Sequence, residues 1–486
     1  VTLAELAAAV GASLRGDGGA AVAGITHRSQ DVLAGMVFAA LPGLRRHGVE
    51  FAAEAQARGA AAVLSDRDPG VDLPWLRSDA PRHATALAAW ALAGNPERRL
   101  RLVGVTGTNG KSTTVDLLGR IARAAGARVG TFGTLAYELP DRRVPAPRTT
   151  PEATDLAPLL AELAAGGGTI AAMEVSSHAI ALDRVAGLEF DAVVWTNLTR
   201  DHLDYHGTME AYFEVKKRLC GRLRAQPPGR RVVGADDRWL ATLLDEPRAG
   251  DLAFGLGERC DVTARAPRYS LAGTSFVLVT PAGEVPVELP LVGEHNLRNA
   301  LAAAGAAIAL SLPLDAIAAG LAGARPAPGR LEPVAIGAGP AVFVDFAHTP
   351  DALEKVLSAL RAVSDRRLIV VFGCGGEKDP GKRAPMGEVV GRLADVPIVS
   401  SDNPRREDPL AIIDAVMVGI RASGNARALA IADRREAIAA ALAVADERSI
   451  ILLAGKGHET EQEFADHSVP FDDREVVREL ARRRRS

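Results

Sequence analysis

Apolar positions along this chain follow two rhythms. Short, nearly continuous apolar runs end in glycine or polar clusters, and between them lie stretches whose apolar residues recur three and four positions apart. The first pattern predicts strands buried on both faces and the second predicts amphipathic helices. Strands are expected over 25–30, 36–41 and 60–64, then over 102–105, 169–175 and 191–198, and finally over 341–346, 368–372, 397–400, 428–431 and 450–454. Helices are expected over 2–10, 51–58, 113–125, 350–363 and 411–423. This alternation is the signature of α/β folds with largely parallel sheets.

Two composition breaks divide the pattern, Asn95-Pro96-Glu97-Arg98 and Pro326-Ala327-Pro328-Gly329. Three domains are expected: a small α/β domain over 1–98, a central, mostly parallel sheet domain over 99–327, and a doubly wound, Rossmann-like domain over 328–486. A chain of 486 residues is long enough for that number.

The central domain opens on Thr106-Gly107-Thr108-Asn109-Gly110-Lys111-Ser112, between an apolar run and a helical pattern. A strand feeding a glycine-rich turn and then a helix start is a P-loop phosphate cradle. Backbone N–H groups and the helix dipole meet the anion, Lys111 adds a point charge, and Ser112 offers a hydroxyl to Mg²⁺. Val105 stands where the strict pattern has glycine, so the context of strand and helix carries the assignment.

Further polar clusters fall at predicted strand ends, where open α/β sheets bind ligands. Glu174 precedes Ser176-Ser177-His178, and His202 closes Thr199-Arg200-Asp201-His202. The two could face one metal, or each could be a satisfied core residue. In the last domain the clusters are Asp345 with His348, Gly373-Cys374-Gly375-Gly376, Asp402-Asn403-Pro404-Arg405 and Gly455-Lys456-Gly457-His458-Glu459. Asn296 and Asn299 share a helix face at i, i+3, and reading an adenine edge and capping a helix are equally open to them. The loop Pro42-Gly43-Leu44-Arg45-Arg46-His47-Gly48 reads either as a diphosphate contact or as a solvated basic loop.

Charge narrows the partners. With 57 basic and 60 acidic residues the net charge is −3, so no nucleic-acid partner is expected, and the Arg482–Arg485 run reads as a solvated tail. The three scattered cysteines fit a reducing compartment without disulfides. Apolar stretches are too short to span a bilayer and no signal-peptide pattern opens the chain, so a cytoplasmic protein without stable membrane insertion is expected.

Together, the stretches 106–113, 174–178, 196–198, 201–207, 346–350, 373–376, 402–405 and 455–459 resemble the Mur ligases of peptidoglycan synthesis, in that family's order and across nearly the whole chain. The branch most similar adds the third residue of the stem peptide. The resemblance implies that ATP phosphorylates the D-Glu γ-carboxylate of UDP-MurNAc-L-Ala-D-Glu and that the amine of an incoming amino acid displaces phosphate from the acyl phosphate. A monomer acting on small molecules is expected.

By the same resemblance, Gly107, Thr108, Asn109, Gly110, Lys111, Ser112, Thr113, Asn296, Asn299, Arg330 and Asp345 would bind ATP, the last domain completing the site on closure. Ser112, Glu174 and His202 would hold Mg²⁺. Lys216, not its neighbour Lys217, would be carbamylated by CO₂ into an anion supporting the second Mg²⁺. Lys111, Glu174, His202 and Lys216 are thus the implied catalytic set. Ser29, Thr149, Thr150, Ser176 and Arg184 would contact the muramoyl dipeptide. Arg383, Asp402, Asn403, Pro404, Arg405, Gly455 and Glu459 would contact meso-diaminopimelate.

The arginine of Asp402-Asn403-Pro404-Arg405 matches the diaminopimelate version of the motif, which lysine-adding relatives lack. An arginine fork binds a second carboxylate bidentately, and L-lysine would leave it unpaired, a loss of about 2–5 kcal/mol. The chain departs from the family pattern at Arg28-Ser29-Gln30, at Leu182 and at Phe346. Alternatives are L-lysine addition, another Mur or folylpolyglutamate-type ligase, and a nucleotide-dependent binding protein without turnover.

Overall fold

The computed structural model of the chain describes residues 1–43 and 46–484. Leu44 and Arg45 of the basic loop, and Arg485 of the terminal run, lie outside the described residues. Two compact units are present, one of residues 1–266, 276–287 and 298–323, the other of 267–275, 288–297 and 324–486. The first unit holds the small and the central α/β sheets, and the second holds the last α/β sheet together with segments 267–275 and 288–297 of the stretch expected to be central.

The small domain holds a five-stranded sheet in the order Ser13–Arg15, Trp75–Arg77, Ala62–Ser65, Met36–Ala39, Gly24–Thr26, antiparallel only at its first pair. Its first helix, Leu3–Val10, starts at a reciprocal cap in which Thr2 N–H donates to Glu5 and the Thr2 hydroxyl accepts from Glu5 N–H. The run 25–30 is a strand only to Thr26, because Ser29–Asp31 turns into a 3-10 helix. Arg28 there pairs with both Asp31 and Asp155, which pulls the backbone out of the sheet.

The eight-stranded central sheet runs Leu252–Phe254, Arg230–Gly234, Ala192–Trp195, Arg101–Thr106, Ile170–Glu174, Val129–Phe132, Tyr137–Leu139, Arg142–Val144, and only the last two strands are antiparallel. The strand before the P-loop is therefore central. Val105 pairs with Glu174 and Thr106 with Trp195, so three strand ends lie level. Helix Lys111–Ala124 buries Val115, Leu118, Ile121 and Ala122 as the spacing predicts, and Gly126, at φ 80°, follows its end. The alternation in 263–289 escaped the sequence reading. There the chain forms an antiparallel meander of Thr263–Ser270, Gly273–Thr280 and Gly283–Leu289.

The second unit is built on a six-stranded sheet, Glu332–Pro333, Ala341–Asp345, Ser449–Ala454, Arg367–Phe372, Val396–Val399, Leu429–Ala430, parallel after its first pair. Helices Arg383–Leu393 and Pro409–Ala422 pack so closely that a Cβ on Gly387 or Gly419 would strike a carbonyl of the other helix. A hairpin, Glu461–Glu463 with Ser468–Pro470, was not foreseen. No helix among the described residues is long and apolar enough to cross a membrane.

Arg434 and Asp473, both fully buried, join helices Arg434–Val444 and Asp473–Arg483 by two hydrogen bonds of 2.8 and 2.7 Å, while Arg434 Nη2 also donates to Ala454 O at 3.0 Å. Removing one partner strands a buried charge, so Asp473→Asn is expected to cost about 3–5 kcal/mol. Urea unfolding followed by circular dichroism should show the lower midpoint.

Candidate active site

The P-loop is pinned from the neighbouring strand end. Asn109 N–H donates to Asn197 Oδ1 at 2.9 Å, Asn197 Nδ2 donates to Asn109 O at 3.0 Å, and the Thr196 hydroxyl donates to Asn109 O at 2.7 Å. Gly107 is at φ 141° and Gly110 at φ 84°. A Cβ on Gly107 would overlap the Thr196 hydroxyl, and one on Gly110 would overlap Asn299 Oδ1. Asn299 is thereby placed against the cradle.

Lys111 lies back over the loop, donating to Gly107 O at 2.9 Å and Thr108 O at 2.8 Å. Lys216, 1% exposed, donates to the same Gly107 O at 3.0 Å and contacts the Thr106 hydroxyl at 3.3 Å. Its neighbour Lys217 is half exposed. Burial, with repulsion from Lys111 next, pushes the Lys216 amine well below the usual lysine range. Burial lowers Lys111 too, and Glu174 and Asp201 oppose that shift.

Glu174 closes the cluster. Its Oε1 accepts from Thr134 N–H at 2.7 Å, its Oε2 contacts the Thr134 hydroxyl at 3.3 Å, and the Ser112 hydroxyl bonds it as well. Burial raises the Glu174 carboxyl despite these bonds. A buried carboxylate next to the P-loop hydroxyl is the oxygen-donor pair that Mg²⁺ accepts alongside phosphate and water, so these residues fit that ion. His202 is at φ 53° and stacks edge-on with His178 at 5.0 Å and Tyr212 at 6.2 Å. No group of three or more His, Cys, Asp or Glu side chains that could hold a metal occurs among the described residues. The metal reading of Glu174 thus rests on Ser112 and ligand oxygens, not on a protein cage.

Beside Glu174 the expected dipeptide contacts converge. The Thr150 hydroxyl donates to Glu174 O at 2.8 Å and accepts from Ser176 N–H at 3.1 Å, Thr149 bonds Thr134 at 3.0 Å, and Arg184 donates to Thr150 O at 3.1 Å. Arg184, 9% exposed, also pairs with Glu152 at 2.8 Å, and burial lowers it from the usual arginine value. A cleft lined by His27, Arg82, Thr85, Glu152, Thr154 and Arg184 opens next to this group. Ser29 is not in that lining. It is buried, and its hydroxyl donates to Glu54 at 2.7 Å.

In the second unit, the glycine run, the Asp-Asn-Pro-Arg loop and the 455–459 segment come together. A Cβ on Gly373 would meet Ser400 O, one on Gly376 would meet Pro404 O, and one on Gly455, at φ 113°, would lie 2.8 Å from Asp402 Oδ2. Asn403 Nδ2 donates to Glu459 Oε2 at 2.9 Å, and the fully buried Lys456 bridges Asn403 Oδ1 at 3.1 Å and Glu459 Oε2 at 3.2 Å. Burial raises the Asp402 carboxyl, with Arg434 and Lys456 opposing. Asp345 accepts from Leu331 and Ala347 N–H at 2.6 and 2.8 Å, and burial raises it. Arg330 lies over the Phe346 ring at 5.5 Å, while Asn296 Nδ2 donates to Val292 O at 3.0 Å within its own helix turn.

One premise of the sequence argument needs correction. Arg405 does not stand unpaired in the absence of an acid ligand, because Glu463 lies 2.7 Å from its Nε. Arg383, 7% exposed, is likewise paired with Glu407 at 2.8 Å. L-lysine would therefore not strand either guanidinium.

Comparison with known proteins settles the lineage. Models described as Mur ligase family, catalytic domain, Mur ligase middle domain, and Mur ligase, glutamate ligase domain match residues 21–98, 105–307 and 329–457. A UDP-N-acetylmuramoyl-L-alanyl-D-glutamate--2,6-diaminopimelate ligase of Solibacter usitatus is 42% identical over 461 residues, covering 94% of this chain and 93% of its own length. The chain belongs to the Mur ligase family. The protein of the same description from Gloeobacter violaceus is 42% identical over 491 residues, covering 100% of this chain and 99% of its own. A solved structure of a ligase of that description superposes with a TM-score of 0.76 at 34% identity, covering 96% of both chains.

Several residues that shape this Mur ligase site were not singled out from sequence. Thr134 follows the Val129–Phe132 strand, a strand end that the same rule would have flagged. Thr196 and Asn197 lie inside a motif already quoted, but their task, holding Asn109, is set by a register that only the sheet reveals. Glu463 sits on the unforeseen hairpin and had no signal at all.

Because the Gly110 turn has no room for a side chain, Gly110→Ala should weaken ATP binding by at least about tenfold, since one mispositioned cradle residue loses roughly 1.4 kcal/mol or more of phosphate contact, and should also lower the thermal midpoint, since a Cβ at φ 84° meets Asn299. Isothermal titration with ATP and Mg²⁺ would read both arms when paired with calorimetric melting.

Proposed function

We propose that this Mur ligase joins meso-2,6-diaminopimelate to the D-Glu γ-carboxylate of UDP-MurNAc-L-Ala-D-Glu, using ATP and passing through an acyl phosphate. What carries the reading is likeness over 94% of the chain to a ligase of that description, together with an Asp402–Arg405 loop whose Asn403 is bonded to Lys456 and Glu459. The reaction brings a triphosphate and a carboxylate together, so catalysis is chiefly positioning and charge neutralisation.

Lys111 swings from the loop carbonyls it caps to the phosphate that displaces them. Backbone N–H groups of 107–113 cradle the same phosphates, and Asn299, which lies against Gly110, contacts the nucleotide. Ser112, Glu174 and His202 would hold Mg²⁺, and the ion would supply charge neutralisation at the transferring phosphoryl group. Thr149, Thr150, Ser176 and Arg184 seat the dipeptide so that its terminal carboxylate lies by Glu174. Asn296, Arg330 and Asp345 are proposed nucleotide contacts, and Ser29 a proposed contact toward the uridine. Arg383, Asp402, Asn403, Pro404, Arg405, Gly455 and Glu459 receive the amino acid, Glu459 meeting its distal ammonium and Arg405 its distal carboxylate.

Lys216 is proposed to be carbamylated. Burial disfavours the charged form of its amine; the lone pair of the neutral amine attacks CO₂, and loss of one proton then gives the carbamate anion. The new anion relieves the repulsion between Lys111 and Lys216. Small soluble substrates are expected to be handled by a monomer in the cytoplasm.

Phosphate release with ATP, Mg²⁺ and UDP-MurNAc-L-Ala-D-Glu, run with diaminopimelate or L-lysine and checked by product mass, should give turnover with diaminopimelate. Turnover with L-lysine alone would overturn the acceptor assignment. For Lys216, wild-type protein in ¹³C-bicarbonate should show a carbamate carbon resonance absent from Lys216→Met, whose turnover should fall by at least about a hundredfold if the anion neutralises the site.

A further inference from the structure

The two arginines assigned to the amino-acid site each carry a carboxylate of the chain itself, but on different terms. Glu407 is tied twice, to Arg383 Nη2 at 2.8 Å and to Glu377 N–H at 2.5 Å, so it is a fixed part of the loop. Glu463 is tied once. Among the described residues, Arg405 is the sole polar partner of its carboxylate, at 2.7 Å from Nε. The guanidinium makes one further bond, from Nη1 to Gly376 O at 2.9 Å, which leaves Nη2 and the second Nη1 hydrogen open.

The backbone holds Glu463 in place for this contact. Arg405, at φ 52°, donates its N–H to Glu463 O at 3.1 Å, Glu463 N–H donates to Asn403 Oδ1 at 3.1 Å, and Arg405 forms an isolated parallel bridge with Phe464. The hairpin and the Asp-Asn-Pro-Arg loop are therefore stitched together at the residue whose side chain reads the acid. The carboxylate itself is 46% exposed and the guanidinium 26%, so the pair is weak enough to be exchanged and close enough to keep Arg405 neutralised until it is.

We propose that Glu463 is an internal stand-in for the distal carboxylate of the diamino acid, which binds by displacing it from Arg405, so that Glu463 sets how far the enzyme separates diaminopimelate from lysine. The inference rests on the acceptor assignment above. Its consequence for selectivity runs opposite to a simple loss. With Glu463 present, lysine finds a neutral pair and pays no stranded charge. With Glu463 neutralised, the free guanidinium attracts diaminopimelate and repels the cationic end of lysine.

The test is the steady-state KM for meso-diaminopimelate and for L-lysine in the wild type, Glu463→Gln, Arg405→Met and the double variant, with calorimetric Kd where turnover is too slow. Glu463→Gln should lower the diaminopimelate KM by about two- to fivefold, the range of a half-exposed ion pair, and should make lysine a poorer acceptor. In the Arg405→Met background the same change should do nothing to the diaminopimelate value. A raised or unchanged KM in Glu463→Gln, or an equal effect with and without Arg405, overturns the stand-in while leaving the acceptor assignment intact. Failure of the wild type to turn over diaminopimelate overturns the assignment, and the inference with it.

Discussion

Gly107 O accepts from two lysines at once, Lys111 at 2.9 Å and Lys216 at 3.0 Å, and the surroundings of that carbonyl explain most of the first unit. Two amines in one desolvated place cannot both be comfortably charged, and burial resolves the conflict by driving Lys216 down. The arrangement is stable without ligand only because loop carbonyls and the Thr106 hydroxyl take the donors. An anion within reach of both amines would relieve their repulsion. The central position of the Arg101–Thr106 strand puts this pair of amines level with Glu174, which is why cation and carboxylate meet at one edge.

In the second unit the corresponding constraint is a buried carboxyl. Asp402 sits with Arg434 and Lys456 near it and Glu459 and Asp473 adding like charge. Gly455 is the residue that lets the backbone pass, since a Cβ there would lie 2.8 Å from Asp402 Oδ2. The Arg434–Asp473 pair stiffens the rear of the loop and the Asn403–Lys456–Glu459 bonds stiffen its front. Arg405 lies outside these bonds and is paired with the half-exposed Glu463 carboxylate.

Much of this was legible from the chain. The central parallel strands were readable because strands buried on both faces are written as unbroken apolar runs, and the P-loop because a glycine turn between strand and helix has few other uses. Choosing Lys216 over Lys217 came from the family likeness, and the burial of Lys216 alone agrees with it. What stayed hidden depends on pairing between distant segments. The hairpin that carries Glu463 has no apolar run to announce it, and Ser29 reads as part of a strand until the Glu54 carboxylate is seen 2.7 Å away. Short strands such as Ser13–Arg15 and Trp75–Arg77 owe their conformation to each other, which no local pattern encodes.

The indole of Trp90 offers a last consequence. Its N–H donates to Ala186 O at 2.7 Å, and its ring, 2% exposed, shares one apolar cluster with Leu64 of the small sheet and Phe190 beside the central one. A domain border drawn at the break Asn95-Pro96-Glu97-Arg98 therefore crosses a continuous interior. The leading hundred residues are a lobe grafted onto the nucleotide body, not a cartridge that evolution could exchange without recutting the surface beneath it.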